Sequence, residues 1–138
     1  FGAAAEAAAR ELAAGIWEEV AEIRNILESA LSTGAKQTIS VGKGADRLPN
    51  TLCLIAPGWK GETQVMAMDL AGFAVSAGAA CSSGKVRASR VLTAMGFEEG
   101  EAAQAIRISI GPGVGTDDVL RFADAWTKAY AKARARAA

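Results

Sequence analysis

The sequence predicts an α+β domain, a small and mainly antiparallel sheet covered by helices. Three observations carry that prediction. Apolar residues across residues 3–31 recur at steps of three and four, the repeat of a long helix with one buried stripe. Two short segments, residues 51–56 and 105–110, read as strands; the first is continuously apolar between Pro49 and Pro57, and the second alternates. Helical and extended segments follow one another without the glycine fingerprint of regular βαβ units, which disfavours a doubly wound parallel sheet.

The long helix comes first. Alanine, the best helix former, dominates its first half. Leu12, Ile16, Val20, Ile23, Leu27 and Leu31 form the stripe, with Glu11, Glu18, Glu19, Glu22 and Glu28 mostly off it. Gly15 interrupts the helix at a cost of about 1 kcal/mol relative to alanine, and Gly34 is its natural stop. A helix of this length reaches beyond its own domain, so residues 1–34 are expected to be an interdomain helix and residues 35–138 the domain proper.

A short strand is expected over residues 37–41, then a turn through Gly42-Lys43-Gly44. Residues 51–56 follow as a buried strand with Cys53 in its middle, read as core packing because free cysteine behaves as a small hydrophobe. Residues 62–70 read as a short helix, with Met66 and Met68 as core filler. Gly72 then opens a strand, Phe73-Ala74-Val75. Ser89 can cap a helix running through Met95, with Val91, Leu92 and Met95 on one face and Gly96 as its stop. A further helical turn is expected over residues 98–104. Along the last strand Ile106, Ile108 and Ile110 point to one side, Arg107 and Ser109 to the other. Gly111-Pro112-Gly113-Val114-Gly115 is a turn and not a phosphate loop, since no Lys-Ser/Thr follows it. Thr116 is expected to cap the last helix, whose buried face is marked by Val119, Phe122, Ala123, Trp126 and Tyr130.

Composition narrows the function classes. At 138 residues the chain has the length of one domain. Lys+Arg and Asp+Glu both number 15, leaving no net field to attract nucleic acid or an anionic membrane. No apolar run approaches the roughly 20 residues that span a bilayer. The N-terminus has neither methionine nor the regions of a signal peptide, so the sequence reads as beginning partway through a longer protein. There are only 2 cysteines, Cys53 and Cys81, which points to a reducing compartment and a cytoplasmic location. Histidine is absent, removing the commonest general base and metal ligand, and no metal site is expected.

The chemistry centres on Val75-Ser76-Ala77-Gly78-Ala79-Ala80-Cys81-Ser82-Ser83-Gly84. Small residues leave the sulfur uncovered, and Gly78 and Gly84 bracket the segment. Lys85 and Arg87 favour the thiolate if they fold toward it. On local sequence alone Cys81 is as readily a loop thiol without a role as a nucleophile.

Four blocks, in order, change that balance. They are Leu48-Pro49-Asn50-Thr51; Gly61-Glu62; the Cys81 block with Ser89-Arg90-Val91-Leu92-Thr93-Ala94-Met95-Gly96; and Ile106-Arg107-Ile108-Ser109-Ile110-Gly111 before Thr116. Together the sequence closely resembles the C-terminal part of cysteine desulfurases, the NifS/IscS-like branch of class V pyridoxal-phosphate enzymes. The resemblance implies the small C-terminal domain of a fold-type I enzyme. It implies an activity that removes sulfur from L-cysteine, leaving alanine and a persulfide on Cys81, with Arg107 holding the substrate carboxylate. Partners implied are a large cofactor domain, a homodimer mate and an acceptor such as an iron–sulfur scaffold. The span between Cys81 and Ser89 resembles that of the branch serving iron–sulfur cluster assembly. Alanines at 77 and 79 stand where family members often carry hydroxyls. The family's Schiff-base lysine has no counterpart here, because none of Lys36, Lys43, Lys60 and Lys85 lies in a matching motif. The chain alone is therefore expected to bind no pyridoxal phosphate and to be inactive. Two alternatives remain open: a related class V lyase or transaminase, such as one acting on selenocysteine, and a non-catalytic module that docks a partner or senses oxidants through the exposed loop.

Overall fold

A computed structural model describes residues 1–78 and 88–137. The expected single long helix is two helices. α1 (Gly2–Ala13) ends where Gly15 takes a left-handed conformation, φ 77°, and α2 (Ile16–Gly34) starts immediately after it. The glycine expected only to weaken the helix turns the chain instead. α1 buries none of its residues, and Leu12 is 63% exposed. Without tertiary packing to reward continuation, a glycine free to adopt positive φ ends the helix. α2 buries Val20, Leu27 and Leu31, the lower part of the stripe read from the sequence.

The sheet has four strands in the order β1-β2-β4-β3, and every neighbouring pair is antiparallel. β1 (Ile39–Ser40) is a short edge, β2 (Thr51–Ile55) and β4 (Ala105–Ser109) are central, and β3 (Ser76–Ala77) is the opposite edge. β3 lies beyond the expected Phe73-Ala74-Val75. The Phe73 backbone N–H is spent on the carbonyl of Met68, closing the C-terminal end of α3 (Gly61–Leu70). Its ring meets Phe122 edge-on, centroids 5.3 Å apart. The chain is therefore free to pair with β4 only after that cap.

One sheet face carries the main core. Leu52 and Leu54 of β2 and Ile106 and Ile108 of β4 pack with Leu27 and Leu31 of α2, Met68 of α3, and Phe122 and Trp126 of α6 (Thr116–Ala137). All five residues expected to mark the buried face of α6 are buried. At its start the expected capping by Thr116 is replaced: Thr116 is the first helical residue, and the Asp118 carboxylate accepts from the Gly115 N–H at 3.1 Å. Gln64 is completely buried yet fully engaged, donating to the carbonyls of Trp59 and Gln104 at 2.8 and 2.9 Å and accepting from Trp126 Nε1 at 3.2 Å. Those bonds tie α3, α6 and the start of β4 together, and an amide can satisfy donors and acceptors at once. Gly61 allows the same close approach: a Cβ there would lie 2.6 Å from the Ala105 carbonyl oxygen.

The other sheet face has a smaller cluster, Val41, Ile55, Leu92, Ala102 and Ala105. It is covered by α4 (Arg90–Ala94), capped by Ser89, and α5 (Glu99–Ala102), which opens with a capping box between Glu98 and Glu101. Leu92 is the buried residue of α4, whereas Val91 and Met95, expected on the same buried face, are 68% and 52% exposed. A helix of 5 residues covers too little sheet to bury three apolar side chains. Near the chain's middle, Arg47 closes a bidentate pair with the buried Glu28 at 2.9 and 3.3 Å, fastening the turn after β1 to α2.

Candidate active site

The alternation of β4 places its arginine as expected: Ile106 and Ile108 face the helical core, and Arg107 emerges exposed on the opposite face. The register adds what the sequence did not show. Arg107 pairs with Cys53 of β2 on one side and with Ser76 of β3 on the other. Directly paired residues point to the same face, so Cys53, Arg107 and Ser76 form one row across the sheet. All three line a cleft of about 250 Å³ bounded by Val41, Val91, Leu92 and Met95.

Among the described residues no acidic side chain lines this cleft. Among the described residues no carboxylate pairs with Arg107. By contrast Arg10, Arg47 and Arg121 each meet one. Arg107 is thus a cation on a strand in a largely apolar recess, an arrangement suited to a small carboxylate.

Cys53 is half-buried and free. Burial pushes its thiol above the ordinary range, while the nearby Arg107 charge pulls the other way without overcoming it. Core packing therefore describes Cys53 only partly. Its neighbours Leu52 and Leu54 enter the main core, and the two-residue strand period turns Cys53 to the cleft face. That parity was available in the sequence; the pairing with Arg107 was not.

Cys81 lies outside the described residues, as do Lys85 and Arg87. The residues flanking that segment are informative. Gly78, with φ 56°, and Ser89, the cap of α4, both line the Arg107 cleft. The segment that carries Cys81 in sequence leaves from and returns to the rim of the cleft.

Pyridoxal phosphate is held in its enzymes through a lysine Schiff base. Among the described residues no lysine lines this cleft or the second one beside Phe73 and Phe122. The described residues do not fit that cofactor. Among the described residues no group of three or more metal-ligating side chains clusters. Among the described residues no helix is long and apolar enough to cross a membrane.

A four-stranded antiparallel sheet with its helices in this arrangement defines the smaller α+β unit of a NifS-like protein. Superposition on the X-ray structure of a NifS-like protein from Rickettsia africae ESF-5 gives a TM-score of 0.72 at 28% identity, covering 83% of this chain and 29% of that one. A second structure, titled NifS-like protein, gives 0.77 at 25% identity over 92% of this chain and 31% of that one. In sequence the chain is 36% identical over 137 residues to a cysteine desulfurase of Frankia sp. (strain EuIK1), 97% of this chain and 32% of that protein. It is 40% identical over 88 residues to a cysteine desulfurase of Cereibacter sphaeroides, 64% of this chain and 23% of the relative. With cysteine desulfurase IscS 1 of Archaeoglobus fulgidus it shares 32% identity over 125 residues. No protein-family model matches. The chain belongs to the cysteine desulfurase family, matching its C-terminal part. It spans about a quarter to a third of the length of these relatives.

Proposed function

We propose that this chain is the small domain of a cysteine desulfurase, in which Arg107 binds the carboxylate of L-cysteine and Cys81 accepts its sulfur. The observation that supports this reading most is Arg107, without a carboxylate partner among the described residues, in a cleft also lined by Gly78 and Ser89. In sequence Cys81 follows Gly78 by three residues.

In this reading the guanidinium fixes the amino acid by a charge-assisted, bidentate contact. The carbon–sulfur bond of the substrate breaks, and its sulfur joins the Cys81 thiolate as a persulfide. The carbon skeleton leaves as alanine. A segment of small residues suits a nucleophile that must then carry sulfur to another protein. The cofactor and its lysine belong to a larger domain outside this chain. α1, with none of its residues buried, is the element that meets that domain, whereas α2 is built into the sheet's core. The acceptor is a sulfur-using partner of the iron–sulfur assembly class, the enzyme acts as a homodimer, and its place is the cytoplasm.

The test uses the complete enzyme. Arg107→Ala should raise KM for cysteine by roughly 10- to 100-fold, the equivalent of losing a hydrogen bond to a charged group. Cys81→Ser should abolish the persulfide, mapped by mass spectrometry after cysteine treatment. An unchanged KM in Arg107→Ala, or a persulfide on Cys53 with Cys81 unmodified, refutes the assignment. Preferential turnover of selenocysteine would move the reading to a selenocysteine lyase.

A further inference from the structure

Arg107 leaves the central strand between two strands that both present short, uncharged side chains. Cys53 is its partner on β2 and Ser76 its partner on β3. Opposed side chains on antiparallel strands have Cβ atoms about 4.5–5.5 Å apart, which places these two on either flank of the arginine's aliphatic stem. Among the described residues the rest of the cleft wall, Val41, Val91, Leu92 and Met95 included, carries no charge. Among the described residues, then, the side chains that line the cleft around the stem are neutral. Elsewhere in the chain an arginine near a polar partner is captured. Arg24 bonds Asn25 and the Leu48 carbonyl, and Arg47 bonds Glu28.

We infer that Cys53 and Ser76 are positioning residues for Arg107, which flank its stem and, being small and uncharged, leave its guanidinium free for the substrate's carboxylate. This rests on the substrate-binding role assigned to Arg107 above. A larger neighbour at either position would push the guanidinium aside. A carboxylate at either position would form a cross-strand ion pair that the substrate must break. Substrate binding would suffer and the later chemistry much less, so the effect falls on KM.

The experiment compares aspartate with its neutral isostere at both flanks of the complete enzyme: Ser76→Asp against Ser76→Asn, and Cys53→Asp against Cys53→Asn. The pairs share shape, so the ratio of their KM values for cysteine isolates charge. The expected ratio is about tenfold, with a much smaller ratio in kcat. It should shrink as ionic strength rises, which a merely structural defect would not do. In an Arg107→Ala background the ratio should collapse to about one. Ser76 is exposed, so its variants report even if a carboxylate at half-buried Cys53 prevents folding. A ratio near one at Ser76, with Arg107→Ala still raising KM, overturns the positioning role and leaves the Arg107 assignment standing. An Arg107→Ala enzyme with unchanged KM overturns both.

Discussion

Replacing Gln64 by leucine measures what the buried amide contributes to this fold. The side chain is 0% exposed and makes three hydrogen bonds, at 2.8, 2.9 and 3.2 Å. Leucine has similar bulk and makes none. The losses are unequal. The Gln104 carbonyl keeps a second donor, the Ala56 N–H at 3.1 Å, so it is only partly deprived. The indole N–H of completely buried Trp126 loses its acceptor, and the Trp59 carbonyl loses its side-chain donor. A buried polar group left without a partner costs about 1–3 kcal/mol. The more apolar leucine returns about 1–2 kcal/mol on burial. The net expectation is a destabilisation of about 3 kcal/mol, or a fall in Tm of about 10 °C or more for a domain of this size. Urea unfolding followed by tryptophan fluorescence and circular dichroism reads it, with the m-value unchanged if the native state keeps its compactness. A loss below about 1 kcal/mol at constant m would show that leucine repacks the site and that the amide network is dispensable.

Two further outcomes concern titrating groups. Alkylation of the folded chain near neutral pH should modify Cys81 well before Cys53. The Cys53 thiol is half-buried and pushed up by burial, and Arg107→Ala should push it further by removing a charge that favours its thiolate; equal labelling of both thiols would refute this. At Glu28, burial works to raise the carboxyl, but hydrogen bonds from Arg47 and Ser40 and the nearby charges of Arg47 and Lys43 leave it below its ordinary value. A group whose folded pKa is depressed stabilises above its unfolded pKa and loses that contribution as pH falls through the folded one. The stability advantage of wild type over Glu28→Gln should therefore shrink on acidification below the ordinary carboxylate range; a difference constant from neutral to acid pH would rule it out.

Much of this molecule follows from local pattern. The alternation in β4 sorts Ile106 and Ile108 from Arg107, because successive side chains of a strand must point to opposite faces. The apolar repeat of α6 names its buried face, because a helix returns to the same side every three or four residues. The ordered blocks around Cys81 and Arg107 led to the family that the relatives support. Other features depended on competition between segments. Gly15 ends α1 since nothing packs on the helix that precedes it. β3 starts late because the Phe73 N–H closes α3 before the chain is available for pairing.

By itself, then, the sequence determined the α+β class, the alternation of β4 and the buried face of α6. Those depend on periodicity and on residue identity, both local properties. Only the tertiary structure decided that Cys53, Arg107 and Ser76 stand in one row, and that Gly78 and Ser89 meet at the same cleft. Cys53 and Arg107 lie 54 positions apart, and strand register between such distant segments is set by how both sheet faces pack against helices. That packing is a property of the whole fold, which no single stretch of sequence contains.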